Sequence, residues 1–248
     1  METQDQLISQ LQVSLDQVAS QKTKDWWEKY LRHVIPFRGV GIPEIRNILA
    51  LWRDEFGIAT WNKQDQLLLA LRLFDSTFAE DKLAGILFLQ EYLYDEFEWK
   101  ALLEKYEQLY LNRLIFDWNT CDWFCVRVLG PTIANNGLAC AEAVSAWSQA
   151  ENLWQARSSV VAFVPVSADN RYYPLIYKSC QDLIQRDERF AKTAVGWILR
   201  DLSKHDKEGV KDFVEKHLGS FSVESIKNAL KYFADNERDD YVQRLKAA

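Results

Sequence analysis

Lys63 to Leu93 reads KQDQLLLALRLFDSTFAEDKLAGILFLQEYL, and the spacing of its apolar residues decides the fold class. Leu67, Leu68, Leu71 and Phe74 fall on one face of a helix, and Ala84, Leu87, Phe88 and Tyr92 on one face of a second. A half-buried strand would alternate apolar and polar residues instead. The helical period continues in both directions through nearly the whole chain, and no sustained alternation interrupts it. Breaks are expected at Pro36 to Pro43, Phe56 to Trp61, Asp75 to Thr77, Gly130 to Gly137, Ser167 to Arg171, Asp187, Lys204 to Lys207, Gly219 to Ser222 and Asp235 to Asn236. These divide the chain into roughly a dozen short helices.

Two such helices with their turns occupy roughly 35 to 45 residues, the length of a HEAT-type repeat. No segment rich in Gly, Ser or Pro divides the sequence, so residues 1–248 read as one continuous domain. Short connections make consecutive helices antiparallel neighbours, and every second helix then lines the same concave side. The expected architecture is all-α, a curved superhelical array of antiparallel helix pairs.

Composition agrees. Hydrophobic residues make up 48% and charged residues 27% of the 248, enough for a sizeable core, while 9 glycines and 5 prolines are few for a chain of tight hairpins. Cys121, Cys125, Cys140 and Cys180 form no CxxC pair and no zinc-like spacing with His33, His205 or His217. No metal or cofactor is expected. The start, METQDQLISQLQVSL, lacks a secretory pattern, and nowhere do about 18 apolar residues run together, so a soluble cytoplasmic protein without a membrane span is expected. A formal net charge of −6 and a pI near 5.2 argue against indiscriminate binding of phosphate backbones but leave room for a local basic face.

No Ser/His/Asp order, glycine-rich phosphate loop or P-loop lysine is present. The segment IFDWNTCDWFCVRVLG, Ile115 to Gly130, does place Trp118 and Asp122 four residues apart, on one face of a helix that begins near Asp117. An indole beside a carboxylate suits chemistry on a cation: the ring face attracts positive charge, and the anion can stabilise an oxocarbenium-like centre or position a water. Set against that, most of ten tryptophans belong in the core, and a first-turn Asp often only complements the helix dipole. In RFAKTAVGWILRDLSK, Arg189 to Lys204, the residues Phe190, Val195 and Ile198 look core-facing. Lys192, Arg200 and Lys204 form a basic edge, and the default for Trp197 is packing between repeats. Arg157 stands alone beside an apolar run, either a phosphate clamp or a solvated helix flank.

Four stretches together resemble the AlkD-type DNA alkylation repair family, HEAT-like repeat proteins that excise cationic alkylated bases. They are YLRHVIPFRGVGIPEIR (Tyr30 to Arg46), DWNTCDWFCVRVLGP (Asp117 to Pro131), LWQARSSVVAF (Leu153 to Phe163) and RFAKTAVGWILRDLSK, in family order and spanning most of the chain. The resemblance implies that Asp122 is the catalytic carboxylate, that Trp118 and Trp197 are cleft tryptophans against the DNA backbone, and that Arg157 holds phosphate. The family often has a double Arg there, whereas Ala156 precedes Arg157 here. Tyr30 matches an aromatic of the cleft wall more loosely, and Lys192, Arg200 and Lys204 would add phosphate contacts. It further implies hydrolysis of the N-glycosidic bond of N7- or N3-alkylated purines in duplex DNA by a monomer, without a metal or cofactor and without flipping the base.

Charge is where the reading is strained. From Ile115 to Phe163 the basic residues are Arg127 and Arg157 alone, against Asp117, Asp122, Glu142 and Glu151. Two alternatives stand beside a glycosylase: a non-catalytic binder of DNA structures, and a HEAT-like scaffold for proteins. A DNA protein should gather Arg157, Lys192 and other cations around Asp122 on one side; a scaffold should show an apolar or acidic groove.

Overall fold

The computed structural model describes residues 3–247, which form fourteen α-helices and, among the described residues, no strand. They are α1 (Gln4–Gln17), α2 (Gln21–Tyr30), α3 (Ile42–Glu55), α4 (Lys63–Arg72), α5 (Ala79–Tyr92), α6 (Trp99–Leu111) and α7 (Trp118–Phe124). There follow α8 (Gly130–Ser145), α9 (Leu153–Val161), α10 (Tyr173–Ile184), α11 (Arg189–Leu202), α12 (Lys207–His217), α13 (Val223–Ala229) and α14 (Asp235–Ala247). The odd-numbered helices from α1 to α13 pack each on the next, and α6, α8, α10 and α12 form a second layer behind them. Every second helix therefore shares one side, as short connections require. One buried core runs from Leu7 to Val242 between the layers.

Helix α5 departs from the amphipathic stripe expected of it. Every residue from Ala79 to Leu89 is buried, because α5 has neighbours on all sides and no face left for water. Three consecutive charges, Glu80, Asp81 and Lys82, lie inside with it, and each finds partners. The Glu80 carboxylate accepts the backbone N–H groups of Arg38 (2.9 Å), Gly39 (2.8 Å) and Val40 (3.1 Å). Asp81 accepts Nε and Nη2 of Arg38 at 2.9 and 3.0 Å. Lys82 donates to the carbonyls of Phe74 and, at 3.0 Å, Leu114. These bonds pin the loop between α2 and α3 and the chain entering α7. Gly39 makes the loop possible: its φ is +106°, and a Cβ there would lie 2.2 Å from the Ser20 carbonyl.

The break expected from Gly130 to Gly137 falls at the end of that range: the helix runs on through Gly130 and Pro131, and Gly137, with a left-handed φ of +69°, kinks α8 into two helical segments. Pro131 has no N–H and would crowd a carbonyl one turn back, but Cys125 to Leu129 form a wider π turn, closed by Gly130 N–H on the Cys125 carbonyl, which makes room for it. Near the C-terminus the break falls before Asp235, which opens α14. All four cysteines are free and buried. Burial pushes the thiols of Cys121 and Cys180 up, and that of Cys140 to about 12. No helix among the described residues is long and apolar enough to cross a membrane.

Candidate functional site

Asp117 starts the site by capping α7. Its carboxylate accepts the Thr120 N–H at 2.9 Å, which fixes the first turn and sets Trp118 and Asp122 on the side that α7 shares with α9 and α11. Trp118 packs on a small apolar cluster of Leu31, Ile35, Phe37 and Ala79. Its ring also meets the Tyr30 ring edge to face at 5.2 Å.

Asp122 does not stand free. Arg157 of α9 grips it with two parallel hydrogen bonds, Nε to Oδ1 at 2.7 Å and Nη2 to Oδ2 at 2.9 Å. The remaining nitrogen, Nη1, donates to the Phe190 carbonyl at 2.6 Å and to Thr193 Oγ1 at 3.2 Å, both on α11. The Arg157 side chain keeps 5% of its surface and that of Asp122 13%. Arg157 is thus neither a solvated flank nor a free surface cation; it ties α7, α9 and α11 together beneath the carboxylate. Burial pushes the Asp122 carboxyl above the ordinary range, and the Arg157 charge and hydrogen bonds pull it back.

Above this pair lies a cleft of about 1040 Å³. Tyr30, Arg32 and Val34 form one wall, α7, α9 and α11 the floor, and Glu224 and Asn228 of α13 the far side. α13 comes this close because residue 196 of α11 is glycine, where a Cβ would lie 2.5 Å from the Ser225 carbonyl. Arg32 and His33, at the near wall, are consecutive residues with left-handed φ of 53° and 57°, a strained turn at the mouth of the cleft.

Of the residues singled out from sequence, Trp118, Asp122, Arg157, Trp197, Tyr30 and Arg200 all line this cleft. Trp197 both packs against the core, as its default reading has it, and lines the cleft; its buried indole N–H has no partner among the described residues. Lys192 and Lys204 do not line it. Lys192 lies about 140° around α11 from Trp197 at 100° per residue. Lys204 donates to Asp201 at 2.5 Å and stands 5.1 Å from the centre of the Tyr232 ring. Phe190 turns to the cleft and not to the core, 5.2 Å from the Trp154 ring.

Sequence reading missed Trp123, Trp154, Arg32, Arg189 and Glu224. Trp154 carried a usable signal, three residues before Arg157 on one helical face; Phe190, Thr193, Trp197 and Arg200 likewise follow a single face of α11. The arginines carried none, because they come from segments far apart in the chain. Five arginines line the cleft, Arg32, Arg127, Arg157, Arg189 and Arg200, against Asp117, Asp122 and Glu224. Arg189 is paired with Glu224 through bonds of 2.7 and 2.6 Å, which hold the Glu224 carboxyl below its usual range. Arg32 and Arg127 form no ion pair among the described residues. Arg127 lies 5.2 Å from the Trp123 ring centre and Arg200 5.8 Å from that of Trp197. An acidic chain thus presents an aromatic cleft in which arginines outnumber carboxylates five to three.

Residues 11–233 match the sequence family described as DNA alkylation repair enzyme. Among solved structures the chain resembles a predicted DNA alkylation repair enzyme from Enterococcus faecalis, with a TM-score of 0.75 at 20% identity, over 88% of this chain and 97% of that one. At that identity the likeness is one of fold. No curated protein matches.

Proposed function

Because the chain belongs to the DNA alkylation repair enzyme family, we propose that it is a glycosylase that hydrolyses the N-glycosidic bond of cationic N7- or N3-alkylated purines in duplex DNA. The observation that carries this reading is the Asp122 carboxylate, gripped by Arg157 in the floor of a cleft lined by tryptophans and arginines. An alkylated purine bears a positive charge and leaves without being protonated, so the protein's task is to stabilise the sugar as it becomes oxocarbenium-like. Asp122 does this as an anion and orients the attacking water. Two parallel bonds from a guanidinium keep that anion in place in a poorly hydrated floor, at the expense of some of its field. Trp118 and Trp197 offer ring faces to the sugar. Arg32, Arg127 and Arg200 meet phosphates, and the lesion stays stacked.

The test is base release from an oligonucleotide duplex carrying N7-methylguanine, at saturating protein, for the wild type and Asp122→Asn. The substitution should slow release by about a hundredfold or more, in a variant first shown by thermal melting to be folded. Release by the wild type no faster than the spontaneous rate would overturn the reading. Tight duplex binding with that outcome would make the protein a non-catalytic DNA-structure binder.

A further inference from the structure

From Tyr30 in the cleft wall, α2 carries an aromatic face outward to Trp26, which does not line the cleft. Trp26 is 58% exposed and Tyr30 54%, and their rings lie nearly parallel, 5.2 Å apart with 16° between planes. Trp27, the next residue, behaves as an ordinary core aromatic: it turns inward and stacks on Phe37 at 5.6 Å. The outward pair is therefore a surface feature and not a fraying of the core.

Cations outnumber acids around the Trp26 ring. Lys22 and Lys29 sit four residues before and three after Trp26, so they flank its ring, and both are exposed. Arg32 follows at the mouth of the cleft. None of the three forms an ion pair among the described residues. Of the acids of the helix, Glu28 turns in to accept the Phe37 N–H at 3.0 Å, while Asp25, exposed one turn from each lysine, accepts Gln21 Nε2 at 2.7 Å. Tyr30 joins this face to the cleft wall through its contact with Trp118.

Parallel ring faces bordered by unpaired cations make a surface on which bases stack while the backbone passes over the charges. A duplex cannot use it, because paired bases present edges and hide their faces. Protein interfaces are enriched in Trp and Tyr but depleted in lysine, so the lysines beside Trp26 favour a nucleic-acid strand over a protein. We infer that α2 is a single-strand platform, and that the preferred substrate is a junction, with duplex in the cleft and an unpaired strand running out over Tyr30 and Trp26. This rests on the reading of the cleft as a duplex-DNA site.

Fluorescence anisotropy of a blunt duplex, and of the same duplex with a short single-stranded extension, tests it. The extension should tighten wild-type binding by about tenfold. Trp26→Ala should remove that gain while leaving blunt-duplex affinity and N7-methylguanine release unchanged. Trp26→Phe should keep part of the gain, and Lys29→Gln should reduce its salt dependence. Equal affinity of the wild type for the two DNAs overturns the inference. So does an equal loss on both DNAs in Trp26→Ala, which would assign Trp26 to the duplex site or to the fold. If base release from the blunt duplex persists while the extension adds nothing, the platform fails and the glycosylase reading stands.

Discussion

Asp122 and Trp118 are legible as a pair because helical geometry alone puts residues four apart on one face. The partner of Asp122 is not legible, because Arg157 lies 35 residues away and only the packing of α7 on α9 brings it near. That partner sets the acid–base behaviour of the site. With the folded-state carboxyl raised by burial, release should fall as pH drops through a value above the ordinary carboxylate range. The sign for stability is opposite to that of a surface ion pair. The folded state holds this proton more tightly than the unfolded chain, so Asp122 adds to stability below the unfolded pKa and loses that contribution as pH rises through the folded one. Arg157→Ala removes the influence that opposes burial, and the acid limb of the rate profile should move further up in pH. It also leaves a buried carboxylate alone, so urea denaturation should show a loss of about 3–5 kcal/mol.

At the scale of the helix, the 3.6-residue period was a sound guide wherever an element has a wet side. It overstated the stripe of α5, which has no wet side, and it opened the break of Gly130 to Gly137 too early, because a π turn carries the helix through Gly130 and Pro131 as far as Gly137. Neither exception has a local signature: one depends on neighbours, the other on a backbone register shift. Tight approach is a further element property hidden in sequence until packing is known. Gly196 is where α11 and α13 nearly touch, and the next residue is Trp197. Gly196→Ala should therefore separate the two helices, lower stability by about 1–3 kcal/mol on thermal melting, and disturb the cleft through Trp197 and the Arg189–Glu224 pair.

Across the whole molecule, a net charge of −6 and a basic cleft coexist because a curved array gathers residues that the chain keeps apart. The middle of the sequence holds only two basic residues, and the cleft above it is completed by Arg32 from near the start and by Arg189 and Arg200 from α11. Duplex affinity should accordingly fall steeply with salt, and Arg127→Gln should reduce the slope of log K against log salt by about one. Because Arg127 is exposed and unpaired, the same change should leave the unfolding free energy within about 0.5 kcal/mol. The layered packing that builds the cleft also decides what the molecule keeps from its surroundings. Electrophiles that methylate DNA react with thiolates, and this chain has four thiols, every one inside the core; those of Cys121, Cys140 and Cys180 are also held in their protonated, unreactive form. A member of a family concerned with alkylation damage is thereby built to offer its own cysteines as poor targets for the agents that create its work.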